Sequence, residues 1–451
     1  MPRLRLVTSL ALAATLASCT ASLPSETASP AASVVPSPEP TVVQPTASVH
    51  TSPSPELVSA PPTTTPTFQP TATASPTQII PAPVPTPVAG DLDLSWLPDA
   101  PRRTSTIDWQ SVDVTGLGAG VINGIIQFGG LLVMTGATGD PDYEDMVPTV
   151  WTSSNGRDWT ANQVNVTADE PGVAMGAPII AGPGLIADGD QYVFVSPDGR
   201  DWQVIQDDNL AGWWLGRLAT ANGVVLCSGF KIGPSDENGL FRSEDGVDWD
   251  QLDETAVRHV ANGLMNLTEI DGAFVAFVAA NEDPFGANAI EVWRSIDGAN
   301  WTHVSDIPNS GETEGIAIVQ GRDKFIAVSG HGLFDGYNKE MAIAWRSVDG
   351  LNWTQTPDAP FDPFALLGVG SGFIGVGGHY PKEGTGIQND DSVTGDSWIS
   401  TSGDNWPKIG QPGDGREIDV LMPLGGYIAG YGLDYNKNPI AAMWIAAAPT
   451  F

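Results

Sequence analysis

One ten-residue pattern occurs six times, and it constrains this chain more than any other feature. The copies are VWTSSNGRDW (150–159), VFVSPDGRDW (193–202), LFRSEDGVDW (240–249), VWRSIDGANW (292–301), AWRSVDGLNW (344–353) and SWISTSGDNW (397–406). Their closing tryptophans, Trp159, Trp202, Trp249, Trp301, Trp353 and Trp406, follow one another at intervals of 43 to 53 residues. A period of roughly 40–50 residues is the length of one four-stranded β-propeller blade, a unit that cannot bury its apolar face alone and must stack on its neighbours. Within each copy the residues before the serine alternate as in a strand. The Asp-Gly pair, as in Asp198-Gly199 or Asp297-Gly298, then supplies the residue types that turn a hairpin. The tryptophan opens the next strand and brings a large apolar surface to the blade interface.

Upstream of the hairpins lie paired apolar runs with glycine between them. Gly315–Val319 is followed by Lys324–Val328, and Ala365–Val369 by Gly372–Val376. Each repeat therefore holds four strands, here called A to D, and the pattern predicts no helix. The two ends complete the count. Ile107-Asp108-Trp109 resembles a D strand with no C strand before it, and Ala442-Met443-Trp444-Ile445 resembles a C strand with no box after it. Joined, they make a seventh blade whose sheet is closed by the N-terminal strand, which hides the edges that an open array would expose. The expected fold is all-β: a seven-bladed β-propeller over residues 91–451.

The hairpins resemble the Asp-box (BNR) repeats of sialidases, sortilin-type receptors, xyloglucanases and photosystem assembly factors. The family pattern separates Asp from Gly by one residue. Here they are adjacent, so the turn is one residue shorter. Asn155 replaces the aspartate in the first box, and Ser402 precedes Gly403 in the last. The resemblance implies a structural role, at the turn between strands C and D, for Ser196, Asp198, Gly199 and Trp202. It implies the same for Ser243, Asp245, Gly246 and Trp249, for Ser295, Asp297, Gly298 and Trp301, and for Ser347, Asp349, Gly350 and Trp353. Ligands are then expected on the opposite face, among the D–A and B–C loops.

On that face the sequence offers two sets of candidates. Arg217, Arg258 and Arg416 fall near the expected starts of A strands, with Trp213, Trp214, His259 and Glu314 in similar positions. Sialidases use three arginines to fork a substrate carboxylate, because guanidinium offers paired hydrogen bonds in a fixed plane. The nucleophilic tyrosine and the acid/base aspartate of that family cannot be assigned. The second set is the acidic B–C loops, among them 140–145, 235–238, 281–283 and 389–391, with 335–338 and 434–436 mixing Gly, Tyr and charge. None has the spaced ligand run of an EF-hand, so no cofactor is expected, and Ca²⁺ is without specific support. Gly-x-Ser-x-Gly, His-Glu-x-x-His and phosphate-loop motifs are absent. Arg242, Arg294 and Arg346 precede the boxes at repeat positions and are expected to pair with neighbouring blades.

The first 90 residues give an address. Arg3 and Arg5 precede an apolar stretch from Leu6 to Leu16 that is too short to span a bilayer and suits an export signal. It ends in Leu16-Ala17-Ser18-Cys19, which resembles a bacterial lipobox. That resemblance implies cleavage after residue 18 and a diacylglyceryl thioether on Cys19. Residues 19–90 are dominated by Pro, Ser, Thr, Ala and Val and cannot bury enough surface to order themselves. They are expected to form an extended stalk. The only other cysteine, Cys227, lies in an apolar run, so neither a disulfide nor a cysteine metal site is expected.

Charge narrows the partners. Fifty-three acidic residues stand against 19 basic ones, a formal net charge of -34. Such a surface repels phosphate backbones, so nucleic acid is not expected. The expectation is a monomeric, exported protein, lipid-anchored at the outer face of the membrane. It would act as a binding or scaffolding module for protein or polysaccharide. The alternatives are a sialidase-like or other glycoside hydrolase and a metal-dependent adhesin.

Overall fold

Seven antiparallel sheets of four strands follow one another along the chain, as the repeat predicts. The computed structural model describes residues 91–99, 106–139, 146–166, 172–181, 184–231, 237–282, 289–307, 315–329, 342–378, 396–413, 416–434, 436, 440–449 and 451. The fold is an all-β, seven-bladed propeller. Blade 1 comprises Gly120–Phe128, Leu131–Thr138, Val147–Ser153 and Thr160–Gln163, and the next five blades repeat this A-to-D order. From blade 2 onward each A strand approaches the A strand of the next blade, and that of blade 7 returns to blade 1. The A strands are thus innermost.

The core explains why a single blade could not fold alone. The B strands are mostly apolar, as in Ala273–Ala279, where every residue is buried. A strand covered on both faces needs no polar alternation. The buried side chains gather into seven clusters, each shared by two adjacent blades. Met265, Val275 and Phe277 of blade 4, for example, pack with Ile316, Phe325 and Trp345 of blade 5.

The ring closes in blade 7. Arg416–Leu424, Tyr427–Asp434 and Ile440–Ala447 receive Gln110–Val112 as the outermost strand, with Ser111 opposite Trp444. Trp109 Nε1 donates to Ser397 Oγ at 2.7 Å, which ties the same segment to blade 6.

The first five boxes share one geometry, and in the last Trp406 Nε1 has no partner among the described residues. In blade 4, Ser295 Oγ accepts the Gly298 N–H at 2.8 Å, and Asp297 Oδ1 accepts the N–H groups of Ala299 and Asn300 at 3.0 and 2.8 Å. Trp301 Nε1 returns to the Gly298 carbonyl at 2.8 Å. The turn is wider than a two-residue hairpin: strand C ends at Ser295 and strand D begins at Thr302. Only the glycine takes a positive φ, +80° at Gly298. A Cβ there would lie 2.6 Å from Leu226 Cδ2 of blade 3, so the turn packs directly on the preceding blade. Arg242 Nε donates to the Asp297 carbonyl at 3.1 Å, and Arg346 pairs with Asp404 at 2.7 Å, each reaching the box of the next blade.

One element departs from the sequence reading. Glu254–Asn262, between blades 3 and 4, is an α-helix capped by Asp253, which accepts the Thr255 N–H. Val257, Val260 and Ala261 fall on one helical face and are buried against both blades. The spacing i, i+3, i+4 is the helical stripe, hidden here in a nine-residue segment of an otherwise strand-periodic chain.

Candidate functional site at the inner-strand mouth

Register shifts interrupt the A–B pairing near the start of the A strand in five blades. They fall between Ile122 and Gly124, Leu215 and Leu218, Leu264 and Asn266, Pro363 and Ala365, and Ile418 and Val420. A bulge leaves residues outside the ladder and re-aims their side chains. The unpaired residues include Asn123, Arg217 and Asp419. All three lie toward the end of the ring opposite the box turns, because the A–B and C–D turns share the other end.

Arg217 is the candidate whose surroundings carry chemistry. It lies half-buried on Trp214–Ala221, and its backbone N–H is held by Ser228 Oγ at 3.0 Å. Among the described residues its guanidinium makes no hydrogen bond or ion pair. Its charged neighbour is Asp188, near the end of the B strand Gly184–Gly189 of blade 2. Blade 2 has a short A strand, Ile179–Ala181, which pairs only with Gly184–Ile186. On its A-strand side Asp188 is therefore passed by residues 172–178 instead of a ladder partner, and the Gly176 N–H donates to its carbonyl at 2.6 Å. A Cβ on Gly176 would lie 2.8 Å from the Asp188 carboxyl carbon, so glycine makes room for it.

Asp188 is 4% exposed and its Oδ2 has no partner. Burial pushes its carboxyl up to about 7, with its own backbone N–H and Arg217 pulling the other way. Burial likewise lowers the Arg217 guanidinium, and the Asp188 charge opposes that shift. Asn123 belongs to the same neighbourhood: its Nδ2 donates to the Met175 carbonyl at 2.8 Å, while its buried Oδ1 is unpartnered. The mouth thus presents a guanidinium, a carboxyl poised between its two protonation states, and two unmatched buried oxygens.

The other predicted residues lie in different settings. Arg416 begins the blade 7 A strand, where it donates to the Pro412 carbonyl at 2.9 Å and faces Asp434 at 3.5 Å. On the same strand burial raises the Asp419 carboxyl well above the carboxylate range, and neighbouring Glu417 adds to the shift. Arg258 is exposed on the helix and is not at the start of an A strand. His259 sits on the helix too, with Nδ1 3.2 Å from Glu282 and Nε2 2.8 Å from Glu291. Burial works against charge on His259, and the two carboxylates overcome it and raise its pKa. Trp214 stacks on Phe230 at 6.3 Å, and Trp213 is buried beneath Lys231. Glu314, Cys19, the stalk and most of the acidic B–C loop residues lie outside the described residues. Cys227 is buried and free. No described helix is long and apolar enough to cross a membrane.

No family model matches the chain, and no curated protein matches it in sequence. Among solved structures, a complex described as YCF48 bound to D1 peptide aligns over 82% of this chain and 100% of its own, at 12% identity and a TM-score of 0.46. An α-L-arabinanase of Penicillium chrysogenum with arabinobiose aligns over 75% and 98%, at 12% identity and a TM-score of 0.41. A mutant sialidase of Trypanosoma rangeli aligns over 76% and 60%, at 9% identity and a TM-score of 0.42. Fold and function separate readily on such scaffolds.

Proposed function

We propose that this chain is an exported binding module, held at the outer membrane face by lipid on Cys19 and lifted from it by the 19–90 stalk. Its propeller would present the inner-strand mouth to a protein or polysaccharide partner. The observation that supports this reading is the open Asp188–Arg217 pair. Among the described residues the half-buried guanidinium makes no hydrogen bond and the adjacent carboxyl has an unmatched oxygen, so a ligand that serves both groups gains two polar partners. Peptide amides and sugar hydroxyls both donate and accept, so either can serve the two groups at once. Capture of envelope proteins and glycans by the propeller, compared between wild type and Arg217→Ala, tests the reading. Retention lost on substitution supports it, and equal retention refutes the assignment to this mouth. For the anchor, Cys19→Ser is expected to move the protein from the membrane to the medium. Unchanged membrane association would overturn the lipid reading.

A glycoside hydrolase is the second reading, favoured by one observation: the Asp188 carboxyl is buried with an unmatched oxygen, a setting that favours the protonated form a general acid needs. Hydrolysis of chromogenic glycosides that disappears in Asp188→Asn would establish it. The absence of turnover across a panel of pyranosides and furanosides would remove it.

A further inference from the structure

The outer edge of blade 4 carries a second cluster, unrelated to the inner mouth. Glu291 and Trp293 lie two apart on the C strand Ile290–Ser295 and share one face. On the D strand Thr302–Ile307, Asp306 is opposite Glu291 and His303 is opposite Trp293. Residues three apart on a strand normally point to opposite faces. A register shift between Val292 and Trp293 absorbs the extra residue and brings His303 and Asp306 to the same side. One ligand atom from each of Glu291, His303 and Asp306 lies within 4.8 Å of the others.

Glu291 is held in place by its neighbours. His259 Nε2 and Trp293 Nε1 both contact its Oε2, each at 2.8 Å. The indole lies between two imidazoles, 5.5 Å from His259 and 5.4 Å from His303 between centroids. Such outer partners orient a ligating carboxylate and leave its second oxygen free.

Blade 6 supplies an independent observation. Aligning the boxes on Ser295 and Ser400 places Asp396 at the position of Glu291 and Lys408 at that of His303. The same register shift occurs there, between Ser397 and Trp398, and Lys408 Nζ sits 2.6 Å from Asp396. The fold thus places a cation at this point of blade 6 by using an ammonium. In blade 4 the lysine is replaced by histidine, and Gln411 of blade 6 is replaced by a third ligating group, Asp306.

We propose that Glu291, His303 and Asp306 form a site for a divalent transition-metal ion of the Zn²⁺ class. One imidazole nitrogen and two carboxylates suit Zn²⁺, Ni²⁺ or Cu²⁺ better than Ca²⁺ or Mg²⁺, which take oxygen ligands. Three protein ligands leave at least one position for water or a donor from a partner. His259 and Trp293 are positioning residues.

The test is titration of the purified chain with Zn²⁺ alone, followed by calorimetry, with Ca²⁺ as the control ion. One Zn²⁺ is expected to bind per chain, with no matching response to Ca²⁺. His303→Lys installs the blade 6 arrangement, so it should keep the melting temperature and abolish Zn²⁺ binding. Trp293→Phe should weaken binding by about 10–100-fold, as loss of an outer-shell partner does. No saturable Zn²⁺ binding by the wild type, or equal binding by His303→Lys, overturns the proposal.

Discussion

The box glycines allow the packing between blades to be measured separately from the backbone strain that any substitution there introduces. Gly298 and Gly223 have nearly the same φ, +80° and +79°. Alanine at either position must adopt the left-handed region, at a cost of roughly 1–2 kcal/mol. Their surroundings differ completely. Nothing lies within 4 Å of a Cβ on Gly223, whereas a Cβ on Gly298 would meet three atoms of Leu226 at 2.6, 3.0 and 3.1 Å. Leu226 is fully buried in the core shared by blades 3 and 4, so it cannot swing into solvent. Overpacking of this kind costs typically about 1–3 kcal/mol. Gly298→Ala should therefore lose about 2–5 kcal/mol and Gly223→Ala about 1–2 kcal/mol, by the same two principles. Urea unfolding of the two variants, compared at equal slope, reads the difference. Leu226→Ala vacates the contested space, so in the Gly298→Ala background it should cost less than it does alone, by a coupling of about 0.5–3 kcal/mol. Equal losses for the two glycine variants, together with strict additivity with Leu226→Ala, would refute the claim that the box turns lock each blade to the one before it.

Three further outcomes follow from groups already described. The folded pKa of Asp188 is raised from 3.8 to about 7, so its contribution to stability is complete below the unfolded value and is lost as pH rises through the folded one. The wild type should lose up to about 4 kcal/mol between pH 4 and pH 8 from this group, and Asp188→Asn should flatten that slope in unfolding measured across the range. Asp297 is held well below the ordinary carboxylate range, first by the Asn300 backbone N–H and then by its side chain, whereas Asp201 and Asp248 occupy the matching place in blades 2 and 3. Its stabilisation is present above the unfolded pKa and lost as pH falls. Asn300→Asp should raise the Asp297 pKa in a carboxyl-carbon NMR titration, and an unmoved titration would discount the side-chain bond. Deleting residues 91–112 strips the closing strand from Ile440–Ala447 and exposes a new edge. The truncated propeller is expected to associate in sedimentation experiments, and a monodisperse, equally stable product would show that closure is dispensable.

Most of the architecture was legible because it is written in a local signal repeated six times. In the first five boxes the serine, glycine and tryptophan act within one turn, as the Ser295–Gly298–Trp301 bonds show, so their spacing survives in the sequence. The ring closure was legible because the two incomplete ends are complementary. The site was legible only in part. Arg217 could be placed on an inner strand, but Asp188 could not be singled out, because its burial depends on the shortness of Ile179–Ala181 and on a backbone segment passing beside it. The bulges that free Asn123 and Asp419 depend on the register of a partner strand, which no single segment encodes. The helix Glu254–Asn262 was missed because its apolar stripe spans barely two turns, and with it the true setting of Arg258 and His259.

In a repeat protein the positions that vary between copies are informative because the scaffold around them is held constant. The partners of the blade 4 tryptophan show this. At the position of Glu291 the first, second, third and fifth blades carry Thr149, Tyr192, Gly239 and Ile343, and at that of His303 they carry Ala161, Val204, Gln251 and Gln355. None of those pairs joins a carboxylate to a cation or an imidazole. Only blades 4 and 6 do, and both also share the register shift in the C–D ladder that brings the two side chains together. The charge pair and the register shift thus appear together in the same two blades. Blade 6 fills this place with Lys408, and the His303 imidazole with its two carboxylates gives blade 4 the donor set for the proposed metal ion.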